Sequence, residues 1–133
     1  MSKIESNKAL VNAAPEEVFL FLSNMNNIKK LLPENKISDW KSDEKSCSFK
    51  VQNAYTIPLV HVGGNPFSRV QIQSGEGAPF RFTLDVHLAD KDGKTEGYLE
   101  CNAQLNMFLE MMVKGPLKNL FDHMAGELAK QFP

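Results

Sequence analysis

The chain has 133 residues, 42% hydrophobic and 23% charged. That mixture excludes wholesale disorder and fits one domain over residues 1–133. Fifteen Lys and Arg against sixteen Asp and Glu leave a formal net charge of −1, which excludes a strongly basic nucleic-acid binder and gives no electrostatic steering.

The longest unbroken apolar run, Val18 to Leu22, is far short of the roughly 20 residues a membrane span needs. The start, Met1 to Ser6, has no apolar signal-peptide core. Cys47 and Cys101 both fall inside strand-like runs among apolar neighbours. They read as two buried free thiols in a reducing cytoplasm, with a disulfide as the alternative.

Ile4 to Asn12 reads as a first strand. A helix then opens at Pro15, where a missing N–H costs nothing, with Glu16 and Glu17 at the positive end of its dipole. Val18, Phe21, Leu22 and Met25 form its apolar face. Asn26-Asn27 interrupts the pattern, Ile28, Leu31 and Leu32 add a short helical piece, and Pro33 ends it.

The period then changes from helix to strand. Ile37–Lys41 and Cys47–Gln52 flank the polar turn Ser42 to Lys45 and predict a hairpin. Asp39, Asp43 and Glu44 at this hairpin are expected in solvent. Thr56–Val62 is apolar, and Gly63-Gly64-Asn65-Pro66 predicts a turn. Phe67–Gln73 follows as a strand, and Ser74–Pro79 as a loop. Phe80, Phe82, Leu84, Val86 and Leu88 alternate with Arg81, Thr83, Asp85 and His87. A turn at Asp90 to Lys94 leads to a return strand with Leu99, Cys101, Ala103 and Leu105 on one face. One dry face and one wet face mark an antiparallel sheet.

The tail is helical again. Met107, Phe108, Met111 and Met112 cluster after the last strand. Gly115-Pro116 breaks or restarts the helix, and Leu117, Leu120, Phe121, Met124 and Leu128 repeat at three–four spacing. The fold class is therefore α+β, in the order β-α-α-β6-α. About seven antiparallel strands curve around one long C-terminal helix, with Gly63, Gly64 and Gly97 as bend points.

This order resembles the START-like, helix-grip superfamily, also called SRPBCC or the polyketide cyclase and lipid-transport group. The resemblance covers nearly the whole chain. Its local marks are Ala14-Pro15-Glu16-Glu17-Val18-Phe19, Leu32-Pro33 and the final helix. It implies a pocket between sheet and helix for a small apolar molecule, lipid-like or polycyclic. The expected lining from the earlier strands is Phe49, Val51, Leu59, His61, Val70 and Ile72. From the last hairpin it is Phe82, Leu84, Val86, Leu99 and Cys101. From the tail it is Met107, Met111, Leu117, Phe121 and Met124. An empty apolar pocket of ~300 Å³ would cost about 7 kcal/mol at roughly 24 cal/mol per Å³. Such a pocket should hold a ligand or water, or be filled by the chain's own Phe and Met side chains.

The residues give no catalytic signature. His61, His87 and His123 lie far apart in sequence, and no His-Glu-x-x-His or Cys-x-x-Cys pattern points to a metal. His61 would be an acid–base group in the cavity or a hydrogen-bonded histidine beside the core. His87 belongs with Arg81 and Asp85 on the wet face, and Asp85 and Glu100 approach each other there. Arg69 would anchor a carboxylate or face solvent. The Met-rich cluster would gate the pocket or pack as core. Gly75-Glu76-Gly77 lacks a following helix, so a dinucleotide site is rejected. No cofactor and no nucleic acid is implied, and an unclosed sheet leaves room for a homodimer.

Three functions stay in competition. The first is a non-catalytic carrier or sensor of an apolar molecule. The second is a cyclase- or hydratase-type enzyme using His61 and Tyr55. The third is an interaction module like the co-chaperone relatives of this fold, which would need an exposed apolar patch that the alternation does not show.

Overall fold

The structure, a computed structural model, describes residues 2–51 and 55–133. The chain opens with β1 (Ser2–Glu5), β2 (Ala9–Val11) and α1 (Pro15–Ser23). Two 3-10 segments, Met25–Leu31 and Glu34–Lys36, lead to β3 (Ile37–Ser42) and β4 (Ser46–Val51). Then come β5 (Tyr55–Asn65), β6 (Arg69–Ser74), β7 (Phe82–Lys91), β8 (Lys94–Ala103) and α2 (Met107–Lys130). All strands join one antiparallel sheet in the order β1-β8-β7-β6-β5-β4-β3, and β2 also pairs with β8. This is the expected α+β helix-grip arrangement: an open, curved sheet and a long final helix.

The sheet has eight strands rather than about seven, because the first predicted strand is two. Both halves pair with β8, and Ser6 interrupts them. Its N–H donates to the Leu99 carbonyl, and its hydroxyl accepts from the Leu99 N–H, each at 2.9 Å. The chain thus keeps its ladder partner while changing direction.

Three further expectations need correction. The predicted turn at Gly63 to Pro66 is instead the end of β5, and the chain reverses over residues 66–68. Gly63 and Gly64 adopt φ of 128° and 133°, beside a register shift between His61 and Gly63. Glycine supports these dihedrals, so the strand bulges there and continues. Gly97, the other expected bend point, lies in β8 without a positive φ. Phe80 and Leu105 precede β7 and follow β8. Gln52, the predicted end of one strand, lies outside the described residues.

The bulge between Ser38 and Lys41 places Asp39 at φ 51°. It shifts the strand's alternation, so Trp40 stacks on Phe49 at 6.0 Å between ring centroids while Asp39 stays exposed. The hairpin turn beyond it is fixed by the Asp43 carboxylate, which accepts from the Lys45 and Ser46 N–H groups at 2.8 Å. Asp92 and Gly93 both take positive φ in the β7–β8 turn, as a two-residue hairpin requires.

α1 and the following 3-10 segment cover one end of the concave face with Val18, Leu22, Met25, Ile28 and Leu31, all buried. The fully buried Thr95 hydroxyl donates to the Ala13 carbonyl at 2.7 Å and pins the start of α1. The 3-10 segment is tied to the β3–β4 turn through the Met25 N–H and the Glu44 carbonyl, 2.9 Å apart.

α2 is one helix of 24 residues that runs straight through Gly115-Pro116. Proline removes one N–H, so the Met112 carbonyl loses its intrahelical donor. Asn106 caps the start by accepting from the Leu109 N–H at 2.8 Å. The helix is unevenly held. Its buried residues, Phe121, Met124, Ala125 and Leu128, all follow Pro116. Asp122 secures that half by accepting the Asn7 N–H at 2.6 Å and an ion pair from Lys118. Phe132 adds an edge contact to Phe21. The Met-rich cluster before Pro116 is not core: Met107 and Met111 are each 81% exposed and Phe108 70%.

Gly64 offers a direct check of the β5 bulge. A Cβ there would run into the Arg69 carbonyl oxygen. Gly64→Ala should lose more than ~1 kcal/mol in urea unfolding, beyond the usual gain from replacing glycine. Gly63→Ala, which meets no neighbouring atom, should lose less.

Candidate functional site

The half of α2 before Pro116 lies over a cavity of about 330 Å³. From the sheet it is lined by Phe49, Val51, Ile57, Leu59, Phe82, Leu84 and Cys101. From α2 come Leu109, Met112, Val113, Pro116 and Leu117, then Leu120, Phe121 and Met124. Tyr55, Pro79 and Phe80 stand at its rim. The lining is almost entirely apolar, and the strands supply it because alternate residues of β4, β5, β7 and β8 point inward.

Of the expected lining, the structure brings Phe49, Val51, Leu59, Phe82, Leu84, Cys101, Leu117, Phe121 and Met124 around this one cavity. It does not bring the rest to this cavity. Ile72, Val86 and Leu99 lie at the other end of the concave face, under Leu22, Ile28, Leu31 and Leu128, around a gap of only about 10 Å³. That is barely room for one water. Leu59, Leu84 and Met124 touch both spaces and form the wall between them. Val70 is fully buried away from the cavity. Met107 and Met111 project from the outer side of α2.

His61 also misses the cavity. It pairs with Ile72 across β5 and β6, at the filled end. The expected hydrogen bond is absent among the described residues: its buried Nε2 has no partner. Burial holds the imidazole below its ordinary pKa of 6.5.

Sequence reasoning missed Ile57, Leu109, Met112, Val113 and Pro116 as lining. Ile57 was visible as the inward neighbour of Leu59, two residues on. The helix positions continue the stripe of Leu117, Leu120, Phe121 and Met124 backward at three–four spacing. Reading Gly115-Pro116 as a break hid that continuity.

Among the described residues, the cavity's only buried ionisable group is a thiol. Cys101 is pushed up to about 12 by burial, so it stays protonated and acts as a small apolar side chain. Cys47, also free, is raised to about 12 by burial and by the nearby Asp43 charge.

Polar chemistry gathers instead on the outer face of the sheet. Asp85 and Glu100 are register partners, and Glu100 Oε1 lies 3.0 Å from His87 Nε2. Asn102 donates to Glu100 Oε2 at 2.8 Å, and this bond leads in holding the carboxyl below its ordinary 4.5. His87 stacks on Tyr98 at 4.7 Å. Ligand atoms of Asp85, His87 and Glu100 lie within 4.8 Å of one another, the one such group among the described residues. A cation there would have to displace the His87–Glu100 contact. Arg69 is exposed and binds nothing inside. A larger trough of about 660 Å³ runs past Gln73, Arg81, Asn102 and Gln104, but it is broad and open to solvent. A ligand site encloses most of its ligand, which favours the inner cavity.

No family model and no curated protein matches the sequence. Solved structures do match the fold. XoxI from Bacillus cereus aligns with TM-score 0.75 at 12% identity, covering 99% of this chain and 96% of that one. The KanY protein aligns with TM-score 0.72 at 13% identity, covering 98% of each chain. Ara h 8.0201 aligns with TM-score 0.61 at 10% identity, over 97% of this chain and 98% of that one. At these identities the likeness is one of fold, and the fold is of the helix-grip type.

The division into a filled and an empty end predicts unequal mutational costs. Leu22→Ala at the filled end should cost ~2–5 kcal/mol in urea unfolding. Phe82→Ala should fall below the ~3–5 kcal/mol typical of a packed Phe, because its ring already borders open space.

His61 predicts a pH effect. The unfolded imidazole protonates near 6.5, and the folded one only at lower pH. Stability should therefore fall as pH drops below about 6.5 and stop falling once the folded form also protonates. The urea midpoint of His61→Leu should change less between neutral and mildly acidic pH than that of the parent.

Proposed function

We propose that residues 1–133 form a single START-like domain that binds a small apolar molecule in the cavity beneath α2. One observation carries the reading: about 330 Å³ of space lined by apolar side chains from four strands and one helix. Ligand pockets span roughly 300–1,000 Å³, so this one suits a small ligand, such as a short acyl chain or a compact ring system. The fold supports the reading, since its neighbours share a sheet gripping a long helix. The loosely held first half of α2 supplies an entry route.

A cyclase- or hydratase-type activity gains nothing from this geometry. It would need polar groups converging inside the cavity. Tyr55 stands at the rim, while His61 lies outside the lining. The interaction-module alternative required an exposed apolar patch. Contrary to the sequence expectation, Met107, Phe108, Met111 and Met112 form one.

Titration with the apolar fluorophore N-phenyl-1-naphthylamine tests the cavity. The expected result is saturable binding with enhanced emission. Leu120→Trp places an indole in the cavity and should weaken the probe at least about tenfold, with the melting temperature held or raised. Unchanged probe affinity in a folded Leu120→Trp protein would sink the reading. Native mass spectrometry of the purified protein, followed by extraction, would then identify any molecule carried along.

A further inference from the structure

The first two turns of α2 read Met-Phe-Leu-Glu-Met-Met-Val from Met107 to Val113, with Glu110 the single polar residue. At 3.6 residues per turn, Leu109, Met112 and Val113 face the cavity. Met107 and Met111 face the opposite way, and Phe108 lies on a flank between. Met107, Phe108 and Met111 are 81%, 70% and 81% exposed, and Met112 49%. A helix that is apolar on every side belongs in apolar surroundings. Here the outer side stays exposed among the described residues.

The charges around this stretch are arranged by position. Glu110 is neutralised by Lys114 on the next turn, 3.8 Å away. Lys114 and Lys118 follow Met111 along the same side of the helix with long stems, and their amines pair with Glu110 and Asp122. The order along the outer side is therefore an apolar tip and then a band of lysines paired with carboxylates.

We propose that this end of α2 seats in the interface of a lipid bilayer, with Met107, Phe108 and Met111 among the acyl chains and Lys114 and Lys118 at the headgroups. A second copy of the chain fits less well. At about 200 Å² for each fully exposed side chain, the four residues present roughly 550 Å². A stable dimer needs about 800 Å² per partner. The lysine stems can lie along the apolar layer while their amines reach the phosphates. No helix here is long and apolar enough to cross a membrane, so the contact is one of surface seating. The proposal does not rest on the cavity's being filled.

The test is co-sedimentation of the full chain with vesicles of phosphatidylcholine containing about 30% phosphatidylglycerol. The parent protein should pellet with the vesicles. Phe108→Asp combined with Met111→Asp should lower the partition coefficient at least about tenfold. Both residues are exposed, so the double variant should keep the parent's melting temperature, and its fluorophore binding separates this test from that of the cavity. Three results would overturn the proposal. One is no pelleting of the parent. Another is undiminished pelleting of the double variant. The third is self-association of the parent at assay concentration that the double variant abolishes, which would give the face to a second copy.

Discussion

The apolar concave face of the sheet has to be covered along its whole length, and the chain supplies two different covers. At one end α1 and the 3-10 segment press Val18, Leu22, Ile28 and Leu31 onto Ile72, Val86 and Leu99, with almost no space left. At the other end the cover is α2 from Leu109 to Met124. It bridges the face without filling it, and the cavity is the remainder. A sealed void of this size would cost about 8 kcal/mol at roughly 24 cal/mol per Å³, against typical domain stabilities of ~5–15 kcal/mol. A bound apolar molecule or water in the space would offset that cost.

The design of α2 follows from the same division. Its second half carries the fold: four buried residues, the Asp122 carboxylate on Asn7, and the neighbouring Phe132 on Phe21. Its first half is freed from that duty. Pro116 removes one backbone bond at the junction, a loss of ~3 kcal/mol in an ordinary helix interior. The loss is tolerated because the helix is capped at Asn106 and anchored beyond the break. A sequence selected for stability alone would place neither Pro116 there nor Met107 and Phe108 in solvent. Pro116 lines the cavity, whereas Met107 and Phe108 lie outside its lining.

Much of this was legible in the residues. The alternation of β7 and β8, the Asp92-Gly93 turn and the Pro15 helix start are local patterns with local causes. The inward face of the strands identified Phe49, Leu59, Phe82, Leu84 and Cys101 as lining for the same reason. What alternation cannot give is position along the strand. Leu84 and Val86 are equivalent in the pattern, yet one lines the cavity and the other lies under Leu22 and Ile28. That distinction depends on where α1 docks, a long-range fact. His61 failed for the same reason. The Gly115-Pro116 error was of another kind: propensity predicted a break that flanking anchors override.

The placement of polar groups bears on what the cavity could select. His87, Glu100, Asp85 and Asn102 are engaged on the outer face, while the interior offers a protonated thiol and, at the rim, the Tyr55 hydroxyl. On the proposed reading, ligands would be sorted by shape and apolar fit. An apolar wall distinguishes one methylene by only ~1–3 kcal/mol, whereas a site built to bind a hydroxyl rejects its absence far more strongly. The cavity would then accept a class of related molecules rather than one compound. A ligand with a polar end would keep that end at the mouth, because turning it inward would bury it against Leu59, Leu84 and Met124 without a partner. On the proposed reading, the desolvation of a cargo's polar end would set its orientation in the cavity.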